Sequence, residues 1–159
     1  PTLLSKYSML NKIKALTPAG LSHCRDGGCR VTAPPSALIL KGESLSGAAK
    51  AADCIIIEAE GERLAITIVE LKSKSVKTRS VVEKLENSTQ HIIAIVQEAA
   101  AGKKVKIELR HAAVASSWKT QDYASIAESR VYFNGKRYPI VPGRCGSSVL
   151  ALRERIPPK

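Results

Sequence analysis

Aromatic side chains are scarce in this chain: one Trp, one Phe and four Tyr among 159 residues. Proteins that grip single strands by stacking successive bases need aromatic platforms, so that mode is poorly supplied here. Acidic residues are few as well, fourteen against twenty-five Lys and Arg, for a net charge of +11. That balance points to a polyanionic partner, nucleic acid first and an anionic membrane surface second. Long apolar runs are missing. The longest, at 54–57 and 92–96, fall far short of the roughly 18 residues of a membrane span. Lys6, Lys12 and Lys14 interrupt residues 1–16, which leaves no continuous signal-peptide core and sets the expectation of an intracellular, cytoplasmic chain. The four cysteines are irregularly spaced, so they are expected to be reduced thiols rather than a disulfide framework. Cys24-x4-Cys29 after His23 offers half a zinc site without a second tight pair. Gly27-Gly28 lacks the helix and Lys of a phosphate loop and reads as a turn.

What is present fits one globular domain over 1–159, 44 % apolar and 25 % charged. Charge is unevenly spread. Residues 1–30 carry five basic and one acidic side chain, 31–71 three and six, 72–129 ten and six, and 130–159 seven and one. An acidic island in a basic chain suits a protein that holds a divalent cation against a phosphate, because such a site needs both signs.

Periodicity gives the elements. Apolar residues at 3, 4, 7, 9, 10, 13 and 16 predict an amphipathic helix ended by Thr17-Pro18. Gly, Pro and polar residues make 20–36 a loop, and 37–41 a short strand. The apolar runs at 54–57 and 64–72 flank Gly61-Glu62, a two-residue turn signal that predicts an antiparallel hairpin. Ser80 and Glu83 form a capping-box pattern ahead of a helix that Gly102 stops. Residues 103–115 return to a strand pattern, so strand, helix and strand should close as a parallel crossover pair. A short helix is expected at 120–128 and an Asn134-Gly135 hairpin at 131–138, with 130–159 forming a basic hairpin and tail. The fold class is therefore α/β, a mixed sheet with an antiparallel hairpin and a crossover helix.

Register arithmetic on the first hairpin carries the chemistry. A two-residue loop at 61 and 62 pairs 60 with 63 and sets Asp53 opposite Glu70, with Cβ atoms about 4.5–5.5 Å apart on one face. Like charges so placed destabilise a strand pair; a bound Mg²⁺ or Mn²⁺ would remove the penalty, and the alternatives are a slipped register or two acids neutralised by neighbouring lysines. Lys72, two residues past Glu70, shares that face.

Asp53, then Glu70-Leu71-Lys72 in an apolar hairpin followed by a helix and another strand, resembles the PD-(D/E)-x-K nuclease superfamily of restriction-endonuclease-like and Holliday-junction-resolvase-like enzymes. The likeness covers about residues 37–115. It implies a restriction-endonuclease-like core in which Asp53 and Glu70 bind the metal, the Leu71 carbonyl adds a ligand, and Lys72 orients or activates the attacking water. Ala52 stands where the family name places Pro. Glu43 is the candidate for the further acid that many members contribute. Gln90 is the candidate for a helical Gln near the metal, although Ala94 replaces the Tyr that follows it in one branch.

Lys74, Lys77 and Arg79 lie where a helix start could meet phosphates, and Lys136, Arg137 and Arg144 extend a basic face. The expected activity is metal-dependent endonucleolytic hydrolysis of nucleic acid, DNA before RNA, with a non-catalytic nucleic-acid-binding module as the alternative. An enzyme with one such site cutting both strands needs a second copy, so a homodimer is expected, with the apolar hairpin at 131–141 as its interface.

Overall fold

The structure is a computed structural model that describes residues 3–18, 20–47, 50–60, 63–72 and 76–155. Among the described residues eight strands and five helices follow one another as α1 (Leu3–Ala15), β1 (Cys24–Asp26), β2 (Cys29–Val31), β3 (Leu38–Lys41), α2 (Gly42–Ser46), β4 (Cys54–Glu60), β5 (Arg63–Lys72), α3 (Thr78–Ala100), β6 (Lys106–Ala115), α4 (Thr120–Glu128), β7 (Arg130–Phe133), β8 (Lys136–Arg144) and α5 (Val149–Glu154). Six strands form one mixed sheet in the order β3-β4-β5-β6-β8-β7. None of the described helices is long and apolar enough to cross a membrane.

The register of the first hairpin is the expected one. Glu60 pairs with Arg63 and Cys54 with Val69, the turn residues themselves lying outside the described set. β5 is buried at every position from Leu64 to Leu71, which is why its sequence reads as a continuous apolar run rather than an alternation. It forms the middle of the sheet, antiparallel to β4 and parallel to β6, with α3 as the crossover. One face of the sheet packs Ile55, Ile66, Ile68 and Ala113 against Val81, Leu85 and Ile92 of α3. The opposite face gathers Cys54, Ile56, Val69 and Val114 with Val149 and Leu152 of α5.

Helix α3 starts two residues before the expected Ser80. Its N-cap is Lys77, with no side-chain cap, and Glu83 forms an ion pair with Lys50 at 3.5 Å instead of closing a capping box. Its end is as expected: Ala101 and Gly102 take positive φ, 50° and 85°, and unwind the chain toward β6. Asn134 and Gly135 likewise have φ of 51° and 76°, the double left-handed geometry of the tight turn joining β7 to β8. The aliphatic residues of that hairpin turn inward. Val131, Ile140 and Val141 are buried in the chain's own cores, which leaves Tyr132, 60 % exposed, and the half-buried Phe133 and Tyr138 as the apolar surface of the segment 131–141.

Two further expectations are corrected. Residues 20–36 contain the β1–β2 hairpin, whose three-residue strands are too short to show a period, and Gly27-Gly28 is its turn. The cysteines are disulfide-bonded rather than reduced: Cys24 joins Cys54 and Cys29 joins Cys145, with Cα–Cα distances of 5.8 and 4.8 Å. The hairpin lies over the face that carries Cys54, bringing together residues 30 and 116 positions apart, a proximity that spacing cannot reveal. All four sulfurs being paired, Cys24 and Cys29 offer no thiolate to zinc.

His111 occupies the core between α3 and the sheet. Its Nε2 shares a hydrogen bond with the Thr89 hydroxyl at 2.9 Å, and its Nδ1 has no hydrogen-bond partner among the described residues. Burial pushes its pKa from 6.5 down to about 3. The unfolded chain therefore takes up a proton below pH 6.5 that the folded chain refuses until about pH 3, so stability present above 6.5 is lost as pH falls through that window, by at most about 1.4 kcal/mol per pH unit. Denaturant midpoints of wild type and His111→Gln are expected to converge as pH is lowered from 7 to 4; a gap independent of pH contradicts this.

Candidate functional site

Asp53 immediately precedes β4, and Glu70 and Lys72 close β5, so one further step of the β4–β5 register sets the two carboxyls opposite each other. They meet on the α3 face of the sheet, and the Asp53 carboxyl hydrogen-bonds that of Glu70. The Leu71 backbone N–H donates to Asp53 Oδ2 at 2.7 Å. Glu70 is 1 % exposed. Its Oε2 receives two ammonium groups, Lys72 Nζ at 3.0 Å and Lys84 Nζ at 2.9 Å, while its buried Oε1 takes no nitrogen donor among the described residues.

The crowding shows in Asp53. Burial first, and then the charge and hydrogen bond of Glu70, raise its pKa from 3.8 to about 7, against the opposing pull of the Leu71 N–H; the charge of Asp26 adds to the rise. Burial alone would lower the Lys84 pKa, yet its hydrogen bond to Glu70 and the charges of Glu70 and Asp53 carry it above 10.5. Two acids share one desolvated corner, and two lysines hold only one oxygen of the pair.

Sequence reasoning missed Lys84 and Asp26. Lys84 had a signal: 81, 84, 85 and 88 follow helical spacing, and Val81, Leu85 and Ser88 are all buried, so a lysine was sitting on the inward stripe. Asp26 had none, since the Cys24–Cys54 disulfide is what brings β1 to the start of β4.

The other candidates lie around this centre or away from it. Gly42 N–H bonds the Asp53 carbonyl at 3.3 Å, so Glu43 is near in the chain, but its side chain is 71 % exposed and pairs with Lys41 at 3.6 Å. Gln90 lines a separate cleft with Leu109 and Tyr138. Among the described residues, no group of three or more His, Cys, Asp or Glu side chains is arranged to hold a metal ion. Two acids of the mid-chain island are structural, Glu58 and Glu60 binding Arg153, and Arg63 of the same stretch pairs with Glu108 at 2.9 Å. Only Asp53 and Glu70 of that island enter the centre.

Of the basic candidates, Lys74 lies outside the described residues. Lys77 and Arg79 are exposed at the start of α3, and Arg79 faces Arg130 and Arg137 across an open cleft of about 800 Å³. Lys136 is exposed beside the hairpin turn. Arg144 is exposed at the sheet end that holds the carboxyls, since Lys72 pairs with Ala115 and Ala115 with Arg144 across three strands.

The chain matches no family model, no curated protein and no solved structure.

Proposed function

We propose that this chain is a metal-dependent nuclease with a restriction-endonuclease-like core, hydrolysing phosphodiester bonds in nucleic acid, DNA before RNA. One observation carries the reading: a 1 %-exposed Glu70 pressed against Asp53, with one oxygen on two lysines and the other taking no nitrogen donor among the described residues. Most buried polar atoms in native proteins are paired, so a buried carboxylate oxygen without a nitrogen donor is open to a ligand, and crowded carboxylates are relieved by a cation. Mg²⁺ or Mn²⁺ fits that donor set, because Mg²⁺ is commonly held by one or two carboxylates with water and phosphate completing its shell. Asp53, Glu70 and the Leu71 carbonyl would hold it. When bound, it would neutralise charge on the phosphate and lower the pKa of a nearby water.

The chain's own residues do the rest. Lys84 fixes the Glu70 carboxylate from α3, which frees Lys72 to turn toward the attacking water and the charge that develops on the scissile phosphate. Lys77, Arg79 and Arg144 neutralise flanking phosphates, with Lys74, Lys136 and Arg137 extending the basic face. A dimer is required only for concerted cutting of both strands. The disulfides bear on location: they suit an oxidising compartment, or a cytoplasm that tolerates disulfides as in hyperthermophiles, rather than a reducing cytoplasm.

The second reading, a binding module without catalysis, draws on the absence of a three-acid cluster among the described residues. Lysine substitutions separate the two. Lys72→Ala is expected to cut the single-turnover rate by orders of magnitude with affinity unchanged, whereas Lys77→Ala and Arg79→Ala weaken binding and lower the salt slope by about one charge each. A Lys72→Ala protein that keeps its rate at saturating DNA would favour the module.

A further inference from the structure

A second cleft, of about 390 Å³, runs between α3 and the β7–β8 hairpin. Its apolar lining includes Leu109, Phe133 and Tyr138, and its polar lining is three amides, Gln90, Gln97 and Asn134. All three amide side chains are exposed, and none makes a hydrogen bond to another described residue. Tyr138 is held in place from beneath, its ring 5.5 Å from that of buried His111. Exposed lysines flank the cleft: Lys136 follows the Asn134-Gly135 turn, and Lys103 and Lys104 lead into β6.

The cleft is separate from the carboxylate centre. Gln90 is six residues beyond Lys84 on α3, about 9 Å along the axis and about one-third of a circle around it. Leu109 pairs with Ile66, four residues before Glu70, so the cleft lies about 13 Å from the carboxyls along the strands. That is about four base-pair steps of duplex.

We infer that this cleft receives one unpaired nucleobase, an inference that rests on the nuclease reading and narrows its substrate to nucleic acid with an unstacked base. A base offers a flat π-face for Tyr138 or Phe133 and a mixed donor and acceptor edge, and an amide presents one donor group and one acceptor to such an edge. Single aromatic anchors suffice for one splayed base, whereas a continuous strand would need several. Lysines at the rim suit the flanking phosphates, and the Gln90 and Gln97 amides make no hydrogen bond to another described residue.

The test is binding in EDTA, where no cleavage occurs, of a 20-base-pair duplex with one extra adenine and of the same duplex with an abasic unit in its place. Wild type is expected to prefer the adenine about tenfold, the value of one modest stacking and edge contact. The double variant Gln90→Ala/Gln97→Ala changes two exposed helix positions, keeps the melting temperature and should lose the preference. Equal affinity of wild type for the two duplexes overturns the inference, as does a preference that survives in the variant. The nuclease reading is scored apart, by cleavage of fully paired duplex in Mg²⁺, which does not need the cleft.

Discussion

Asp53→Asn and Glu70→Gln are each expected to reduce Mg²⁺-dependent cleavage by more than about 100-fold, because losing even an outer partner of a metal ligand costs up to that much. Nucleic-acid binding should persist, since the basic residues are untouched. The same substitution has an opposite effect on stability. The folded-state pKa of Asp53 is raised to about 7 from 3.8, so ionising it opposes folding. The penalty is absent below pH 3.8, grows as pH rises, and is complete above about pH 7. In EDTA, Asp53→Asn should therefore match wild type near pH 4 and exceed it by about 2 kcal/mol at pH 8, a figure reduced from the full shift because the group is partly solvated. His111 titrates in both proteins and cancels from the difference. Added Mg²⁺ should close the gap by stabilising wild type alone. Melting curves at the two pH values, with and without Mg²⁺, check all of this; a gap that is the same at pH 4 and 8 contradicts it.

Loss of the disulfides is the second large effect. Cys29–Cys145 spans 116 residues and Cys24–Cys54 spans 30. Loop-closure entropy in the unfolded chain makes the first worth about 4 to 5 kcal/mol and the second about 3 to 4. Cys29→Ala/Cys145→Ala should thus fall farther in melting temperature than Cys24→Ala/Cys54→Ala. The second pair should lose more activity, because it releases the hairpin that carries Asp26 from the strand that follows Asp53. Equal melting temperatures for oxidised and reduced wild type would contradict the pairing.

Much of the centre is legible in the sequence because its geometry is local. Asp53, Glu70 and Lys72 sit on one hairpin whose two-residue turn sets every pairing, and the parity of a strand then decides which face each side chain takes. Lys84 depends on where α3 docks, although its helical stripe pointed inward. The hairpin at β1 and β2, the disulfides and Asp26 were not legible, since three-residue strands carry no period and contacts across 30 or 116 residues leave no local trace. Ser80 and Glu83 show the converse: a capping pattern was overridden by tertiary contact, with Glu83 drawn to Lys50. Val131, Ile140 and Val141 of the β7–β8 hairpin similarly read as free surface and are buried, whereas Tyr132 is exposed.

The most direct measurement incubates plasmid, linear, single-stranded and branched DNA with wild type and with Asp53→Asn, in Mg²⁺, in Mn²⁺ and in EDTA. The account predicts cleavage of at least one substrate by wild type in either metal, none in EDTA, and a loss of more than about 100-fold in the variant. Intact binding without cleavage of any substrate would contradict it, as would wild-type cleavage by Asp53→Asn.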